Sequence, residues 1–424
     1  MKTPLPGRRR RLRGLVIAAL LGVWLSVQAS ALETWKVVAQ DGSGDFTTIQ
    51  AALDAVPAGA TAVIFIRKGV YREKLFLTKS FVTLLGENRD STRIVYAELR
   101  KSWNAAHRGS DRGSATVNID SSARDITFAN LTISNNYGSV YGNHDHQFAL
   151  LGFGTRVIIV GCTIASDGGD TVSLWDGADG MYYHADCSFE GWVDYVCPRG
   201  WCYVTNSRFF GHNRPSASLW HDGSRDRNQK FVIVDSFLDG VSEFPLGRNH
   251  RDGQFFFVRC TFSANMADRP FYRPPSSPQP WRWGPRHYFY GCHRLGGDFA
   301  WFADNLPDEA RPPSKITAAW AFDGRWDPEG SLPSLLPYAM LPVPGNRSTG
   351  VSPGEAVLRW LPARNAGIQL VYIGREGKLD LAGTTSGREL HTGRLEPRST
   401  YQWRVDAIAG ADTLNGQTWA FTTE

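Results

Sequence analysis

The chain has 424 residues, 42% of them hydrophobic and 21% charged, which excludes a disordered chain and leaves room for two or three domains with a sizeable core. Its 46 Lys and Arg exceed its 41 Asp and Glu by five, but Lys2, Arg8, Arg9, Arg10, Arg11 and Arg13 all precede the first acid, Glu33. Without those six the balance is 40 − 41, or −1, so the basic total gives no ground for a nucleic-acid partner.

The cationic patch is followed by an apolar run over residues 15–27 and then Ala29-Ser30-Ala31. This is the pattern of a secretory signal over residues 1–31, with cleavage expected after Ala31. The paired arginines also suit a twin-arginine route, and an uncleaved anchor is the alternative. The run is short for a bilayer span. A secreted or periplasmic protein is expected, with no membrane association once the leader is removed.

In "VVAQDGSGDFTTIQAALDAVP", Gly42 and Gly44 mark a turn, and Ile49, Ala52, Leu53 and Val56 recur at helical spacing before Pro57. One short amphipathic helix is predicted there, and "TAVIFIRKGVYREKL" reads as strands. Residues 63–295 read as short strands without helices. Stacking "ITFANLTI", "VIIVGCTI", "MYYHADCSF", "CYVTNSRF", "VIVDSFL", "FFFVRCTF" and "YFYGCHRL" aligns Asn130, Cys162, Cys187, Ser207, Ser236, Cys260 and Cys292, at intervals of 32, 25, 20, 29, 24 and 32. A repeat with such variable insertions is a solenoid, and strands this short predict a right-handed parallel β-helix with loops leaving at the corners. Cys162, Cys187, Cys260 and Cys292 then form part of an internal ladder. Rungs about 4.8 Å apart would allow Cys162–Cys187 or Cys260–Cys292 bridges, but buried free thiols are expected.

The Pro-rich stretch 331–345 reads as a linker between a catalytic domain at 35–330 and a smaller domain at 346–424. Beyond it, "EAVLRWLPA", "IQLVYIGRE", "GRLEPRSTYQWRVDAIAG" and "TWAFTTE" are alternating strands at sandwich spacing. Trp360 is expected in their core, and Tyr401 after "LEPRST" resembles a tyrosine corner. The tail resembles a fibronectin type III module, a spacer, a polysaccharide contact or a passive appendage. The fold class is therefore all-β: a parallel β-helix followed by a small β-sandwich.

No Cys or His spacing suits a metal, and no G-x-S-x-G elbow is present. What points to chemistry is carboxylate placed inside apolar runs: Asp194 in "EGWVDYVCPRG" and Asp170 in "DGGDTVSLW". As strand residues, Trp192 and Asp194 would share the outward face, with Asp170 one coil earlier. Two close carboxylates do not ionise independently; one stays anionic and the other holds its proton. The alternative is a pair of solvated surface aspartates.

The blocks "VVAQDGSGDFTTIQAALDAVP", "GVYREKL", "GSATV", "ITFANLTISNNYG", "HQFALL", "GDTVSL", "GWVDYV" and "LGRNH" resemble, in order, those of the pectin methylesterases, over residues 37–295. The resemblance implies a parallel β-helix that hydrolyses the methyl esters of pectin without a cofactor. It implies Asp194 as nucleophile, Asp170 as general acid and base, Gln147 as oxyanion donor and Arg248 as the partner that keeps Asp194 ionised. Thr116, Trp175, Trp192, Tyr195, Trp220, His250, Arg251 and Tyr272 are the expected sugar contacts; Arg225, Arg227, Arg248 and Arg251 are candidates for the grip on a polyanion, with solvated surface arginines the commoner reading. Pectin is the implied partner, and a monomer is expected. The chain departs from the family pattern at Gly169, where a second glutamine is usual, at Asn249-His250 in place of Pro-Trp, and in a longer "SLWDGADGMYY" segment. Rival readings are a β-helix glycosidase or lyase, an inactive pectin-binding β-helix, and an esterase for acetyl or thioester groups.

Overall fold

A computed structural model describes Met1 and residues 34–223, 225–249, 251–275, 281–332, 336, 338–375 and 377–424. The expected signal segment and His250 lie outside the described residues.

Among these residues three parallel ladders run the length of the first part of the chain. The longest has ten strands in chain order, from Thr34–Val38 through Met181–Ala185 and Trp201–Thr205 to His287–Tyr290. The second has nine, from Gly69–Tyr71 through Thr163–Ser166 and Ser188–Gly191 to His293–Arg294. The third starts as Leu75–Leu77, Val117–Ile119, Leu150–Gly152 and Val172–Leu174. It continues through bridges at Val196 to Leu219–Trp220 and Gly247–Arg248. Successive coils add a strand to each of the first two ladders and a strand or a bridge to the third, which is the architecture of a parallel β-helix. Inside it, Ile64, Leu84, Ile126, Ile159, Tyr182, Val204, Ile233 and Phe257 form one continuous core.

The corner between the first two ladders explains the repeat. Strands there are joined by two residues, and the first of each pair is left-handed: Asn130, Gly161, Asp186, Asn206, Asp235, Arg259 and Gly291 all have φ between 47° and 61°. Asn, Asp and Gly tolerate that region best, which is why they recur. The pairing of Thr132 with Thr163 aligns Asn130 with Gly161, and Leu131 with Cys162. The first rung of the sequence alignment was therefore one residue out of register. All six cysteines are free and buried. The Cys187 Sγ lies 3.3 Å from the Ile159 carbonyl of the preceding coil, and Cys260 and Cys292 make the same contact at 3.3 Å.

The predicted helix is Ile49–Asp54. Thr48 caps it, and the Glu73 carboxylate accepts from the Ile49 and Gln50 amides at 3.0 Å each. Ile49, Ala52 and Leu53 close the first coil. Residues 63–295 are not free of helices, however: Arg100–Ala106 and Tyr137–Tyr141 are helical insertions. Arg100–Ala106 buries no residue, so it carries no apolar period to read.

Described residues between 306 and 341 pack on the outer face of the ten-stranded sheet. Leu306, Ile316, Phe322, Leu332, Leu336 and Met340 meet Ile158, Tyr183, Tyr203, Val232 and Phe256. That sheet is thus covered on both faces, and its strands read as unbroken apolar runs. The Pro-rich segment supplies part of this cover. Its Met340–Val343 forms one antiparallel sheet with Glu355–Leu361 and Glu389–Arg394, and Ser348–Val351, Thr418–Thr423, Thr400–Ala409, Ile368–Arg375 and Lys378–Thr385 form a second in that order, antiparallel except for its first pair. Trp360, Val371, Trp403, Val405, Trp419 and Phe421 make their core. The Tyr401 hydroxyl accepts from the Glu396 amide at 2.9 Å, tying the turn before its own strand.

Candidate active site

Asp170 and Asp194 sit at equivalent corners of successive coils, each two residues before the third ladder resumes. The Asp170 amide donates to Val193 O at 2.9 Å, and the Val172 amide to Tyr195 O at 2.8 Å. Neither aspartate lies within a strand, which corrects the expectation for "WVDYV". The strand Ser188–Gly191 ends before Trp192, and Asp194 has φ 50° and Asp170 φ 61°. An aspartate tolerates that left-handed turn better than most residues, and the same turn recurs at both positions. Trp192, also at this corner, is not a strand neighbour of Asp194. Its ring lies 4.5 Å from His144 and 6.0 Å from His212.

Each carboxylate is buried against an arginine. Arg248, on the third ladder two coils beyond Asp194, engages it through both ends of its fork: Nε to Oδ1 at 3.0 Å and Nη2 to Oδ2 at 2.5 Å. Arg100 reaches Asp170 Oδ2 through Nη1 at 3.0 Å. Its other nitrogens are clamped by Asp111, at 2.8 Å and 2.7 Å, and Asn104 holds Asp111 in turn at 2.8 Å. His146 Nε2 stands 3.6 Å from Asp170 Oδ2. Burial pushes Asp170 up to about 7, against the pull of Arg100. Burial pushes Asp194 up to about 6, with Arg248 holding it down and the Asp170 charge raising it. Asp170 is therefore the weaker acid of the pair. Burial and the Arg100 charge keep His146 below its usual range.

The other expected site residues divide. Gln147 is fully buried. Its Oε1 accepts from the Gly138 amide at 3.0 Å, and its Nε2 donates to Asn143 O at 2.6 Å, so its amide holds the 138–143 turn. Thr116 is buried with its hydroxyl on Ser134 O at 3.0 Å. Tyr195 packs inside the coil core. Both are corrections: residues facing inward from a coil cannot meet a sugar. Trp175 and Trp220 flank Arg199, with its guanidinium 4.4 Å and 5.4 Å from their rings. The Tyr272 hydroxyl accepts from the Ala217 amide at 3.3 Å, and Tyr272 bridges to Arg248. Arg225 and Arg251 line one cavity with Trp175, whereas Arg227 lines another beside Lys230 and Arg286. Asn249 is buried, donating to Arg251 O at 2.8 Å.

Gly169 leaves no space for the usual glutamine. A Cβ there would stand 2.7 Å from Val193 Cγ1 and 3.0 Å from Val193 O. Arg100, Asp111, His146 and Arg199 were missed in the sequence. Arg100 lies 70 residues from Asp170, on an exposed helix, where no spacing signals a site. Among the described residues no three His, Cys, Asp or Glu side chains group as a metal site.

Residues 36–233 match the pectinesterase family model. The chain is 29% identical over 283 residues to probable pectinesterase 55 of Arabidopsis thaliana, covering 62% of this chain and 78% of that one. It is 24% identical over 270 residues to probable pectinesterase 67 of the same plant, covering 57% and 74%. Its fold matches that of a pectin methylesterase solved in complex with a hexasaccharide, with a TM-score of 0.54 at 23% identity, over 69% of this chain and 97% of that one. Residues 36–233 are thus similar in sequence to the pectinesterases, a family of carboxylic ester hydrolases, and the coils share the fold of that solved enzyme.

Proposed function

We propose that this protein hydrolyses the methyl esters of pectin with Asp194 as nucleophile and Asp170 as general acid and base. The observation that carries this is a pair of buried carboxylates on adjacent coils, each with its own arginine and with unequal acidity. Ionised Asp194 attacks the C6 ester carbonyl of a galacturonate unit. As the tetrahedral adduct collapses, the bond to the methoxy oxygen breaks and Asp170 gives its proton to departing methanol. A mixed anhydride remains on Asp194. Asp170, now anionic, takes a proton from water, which attacks C6. Asp194 leaves as carboxylate, and both groups are restored.

Positive charge around the pair supports this cycle. Arg248 fixes both oxygens of the nucleophile. With Gln147 committed to its turn and no side chain at 169, the free N–H groups of Arg100 and Arg248 take the oxyanion role, and such donors are worth about 3 kcal/mol each. Tyr272, which neighbours Arg248, and the half-buried Trp192 serve as sugar contacts. The same reading makes residues 1–31 an export signal, 35–330 the catalytic unit, 331–345 the connecting segment and 346–424 a fibronectin type III-like module.

The test is methanol release from highly methylated pectin, with an acetylated glycan as the parallel substrate. Methanol without acetate is expected. Acetate alone would move the assignment to another ester, and new reducing ends or unsaturated products would move it to a glycosidase or lyase.

A further inference from the structure

A cavity of about 500 Å³ opens where the chain leaves the third ladder and enters the ten-stranded sheet, on the outer face of that sheet. Lys230, Gln254 and Arg286 stand there one above another on three successive coils, each just before its strand. The Phe231 amide donates to Gln254 O at 2.8 Å, and the Phe255 amide to Arg286 O at 2.9 Å. The short helix Ala318–Ala321 and the turn after it bring Trp320 and Asp323 to the facing wall. Lys230 Nζ ties that wall to the coil, donating to Asp323 Oδ1 at 2.6 Å and to Ala321 O at 3.2 Å. Half-buried Tyr288 and Trp320 both pack on buried Phe256, with ring centroids 4.8 Å and 5.2 Å from it. Among the described residues, none that lines this cavity is hydrogen-bonded or ion-paired to Asp170, Asp194, Arg100 or Arg248.

Arg286 is the group that the fold alone does not explain. It is 5% exposed. Its Nη1 donates to Arg227 O at 2.5 Å and to Gln254 Oε1 at 3.2 Å, and its Nη2 donates to Asp252 O, all neutral acceptors. The Asp252 carboxylate is turned to the Trp283 amide at 3.1 Å. Among the described residues Arg286 has no ion-pair partner, and its buried Nε has no hydrogen-bond acceptor. A buried cation without a counter-charge is costly to a fold, and an anion from outside the chain removes that cost. Arg227 adds a second guanidinium at the exposed mouth. Lys230 is neutralised by Asp323, so Arg227 and Arg286 face only Glu309. Aromatic rings meet the C–H face of a pyranose, carboxylate and amide oxygens accept from its hydroxyls, and guanidinium groups select a carboxylate on it. A bare phosphate or sulfate would use neither the rings nor the acceptors.

We propose that this cavity is a second, non-catalytic binding site for an acidic sugar unit of a polysaccharide, on a different face of the coils from the carboxylate pair. The identity of that unit as a galacturonate rests on the pectin reading above. A polymer held there is tethered to the protein, which raises the local concentration of its esters at the carboxylate pair. Only a chain long enough to reach from one face to the other gains from it.

The experiment is calorimetry with fully de-esterified trigalacturonide on the protein and on its Trp320→Leu and Arg227→Gln variants. Each variant is expected to weaken one binding event about tenfold, through the lost ring or the lost charge-assisted fork. A titration within twofold of the unsubstituted protein's, in either folded variant, would overturn the site. Arg227 is exposed, so its variant keeps the fold even where loss of Trp320 disturbs the wall. Methanol release gives a second readout. Trp320→Leu should leave kcat/KM on a short methylated oligomer unchanged and raise KM about tenfold on long pectin, since only the long chain is tethered. Equal changes on both lengths, or none on either, would overturn the proposal. If the protein releases no methanol from either substrate, the pectin reading fails, and the calorimetry alone decides the site by the same two outcomes.

Discussion

Arg248 grips both oxygens of Asp194, Nε on Oδ1 at 3.0 Å and Nη2 on Oδ2 at 2.5 Å, across 54 residues of chain. This fork holds one carboxylate of a buried pair ionised and aims it. The other carboxylate, Asp170, is pushed up to about 7, while Asp194 stands at about 6. The proposed cycle needs Asp194 ionised and Asp170 protonated, so kcat/KM should follow a bell, rising near pH 6 and falling near pH 7.

Arg248→Met removes the cation that favours the Asp194 anion, so the pKa of Asp194 rises and the ascending limb moves to higher pH. The limbs then overlap, and the maximum rate should fall about 10²-fold. Arg248→Lys, which keeps charge but not the fork, should restore the limb more than the rate. A pH–rate series on the two variants checks this.

Arg100→Met acts on the opposite limb. Arg100 contacts Asp170 at 3.0 Å, and its loss disfavours the Asp170 anion. The pKa of Asp170 rises, and the descending limb should move to higher pH while the ascending limb shifts less. His146, Asp111, Arg199 and Arg248 also act on the pair and remain in this variant. An unmoved descending limb would mean that Asp170 is not the acid.

Asp170→Asn should abolish leaving-group protonation and also change stability. The folded pKa of about 7 lies above the ordinary 3.8, so the folded state binds this proton more tightly than the unfolded one. Asp170 therefore costs the fold increasing stability as pH rises from about 4 to about 7. The variant lacks that penalty, and its Tm advantage should widen over the same range. A constant difference from pH 4 to 8 would contradict the buried acid.

Gly169→Gln, which restores the residue common in the family, should reduce both stability and activity. Its Cβ would press on Val193 Cγ1 at 2.7 Å, and overpacking of this kind costs about 1–3 kcal/mol. Adding Val193→Ala should recover part of the loss. Thermal unfolding and methanol release of the single and double variants check this, and higher activity in the single variant would contradict it.

The coil was legible because small residues such as Cys162, Cys187 and Ser207 recur between apolar runs, and they follow left-handed corners where Asn, Asp or Gly stand at six of the seven positions named above, Arg259 being the seventh. Asp170 and Asp194 stood out in the sequence as carboxylates in apolar surroundings and through ordered motifs. Their local geometry was not, because "WVDYV" carries strand propensity while the coil needs a left-handed turn at Asp194. Thr116 and Tyr195 were misplaced because motif position does not tell which side of the coil a side chain faces. Arg100 left no sequence signal, since its role exists only where an exposed helical insertion folds back over Trp175 and Phe148.

Asp194 carries the proposed reaction. The direct measurement is methanol release from highly methylated pectin by the protein and by Asp194→Asn, with circular dichroism and thermal unfolding confirming that both are folded. Release by the protein and none above background by the variant is the predicted result. Release at comparable rates from both would contradict it and remove Asp194 from the chemistry.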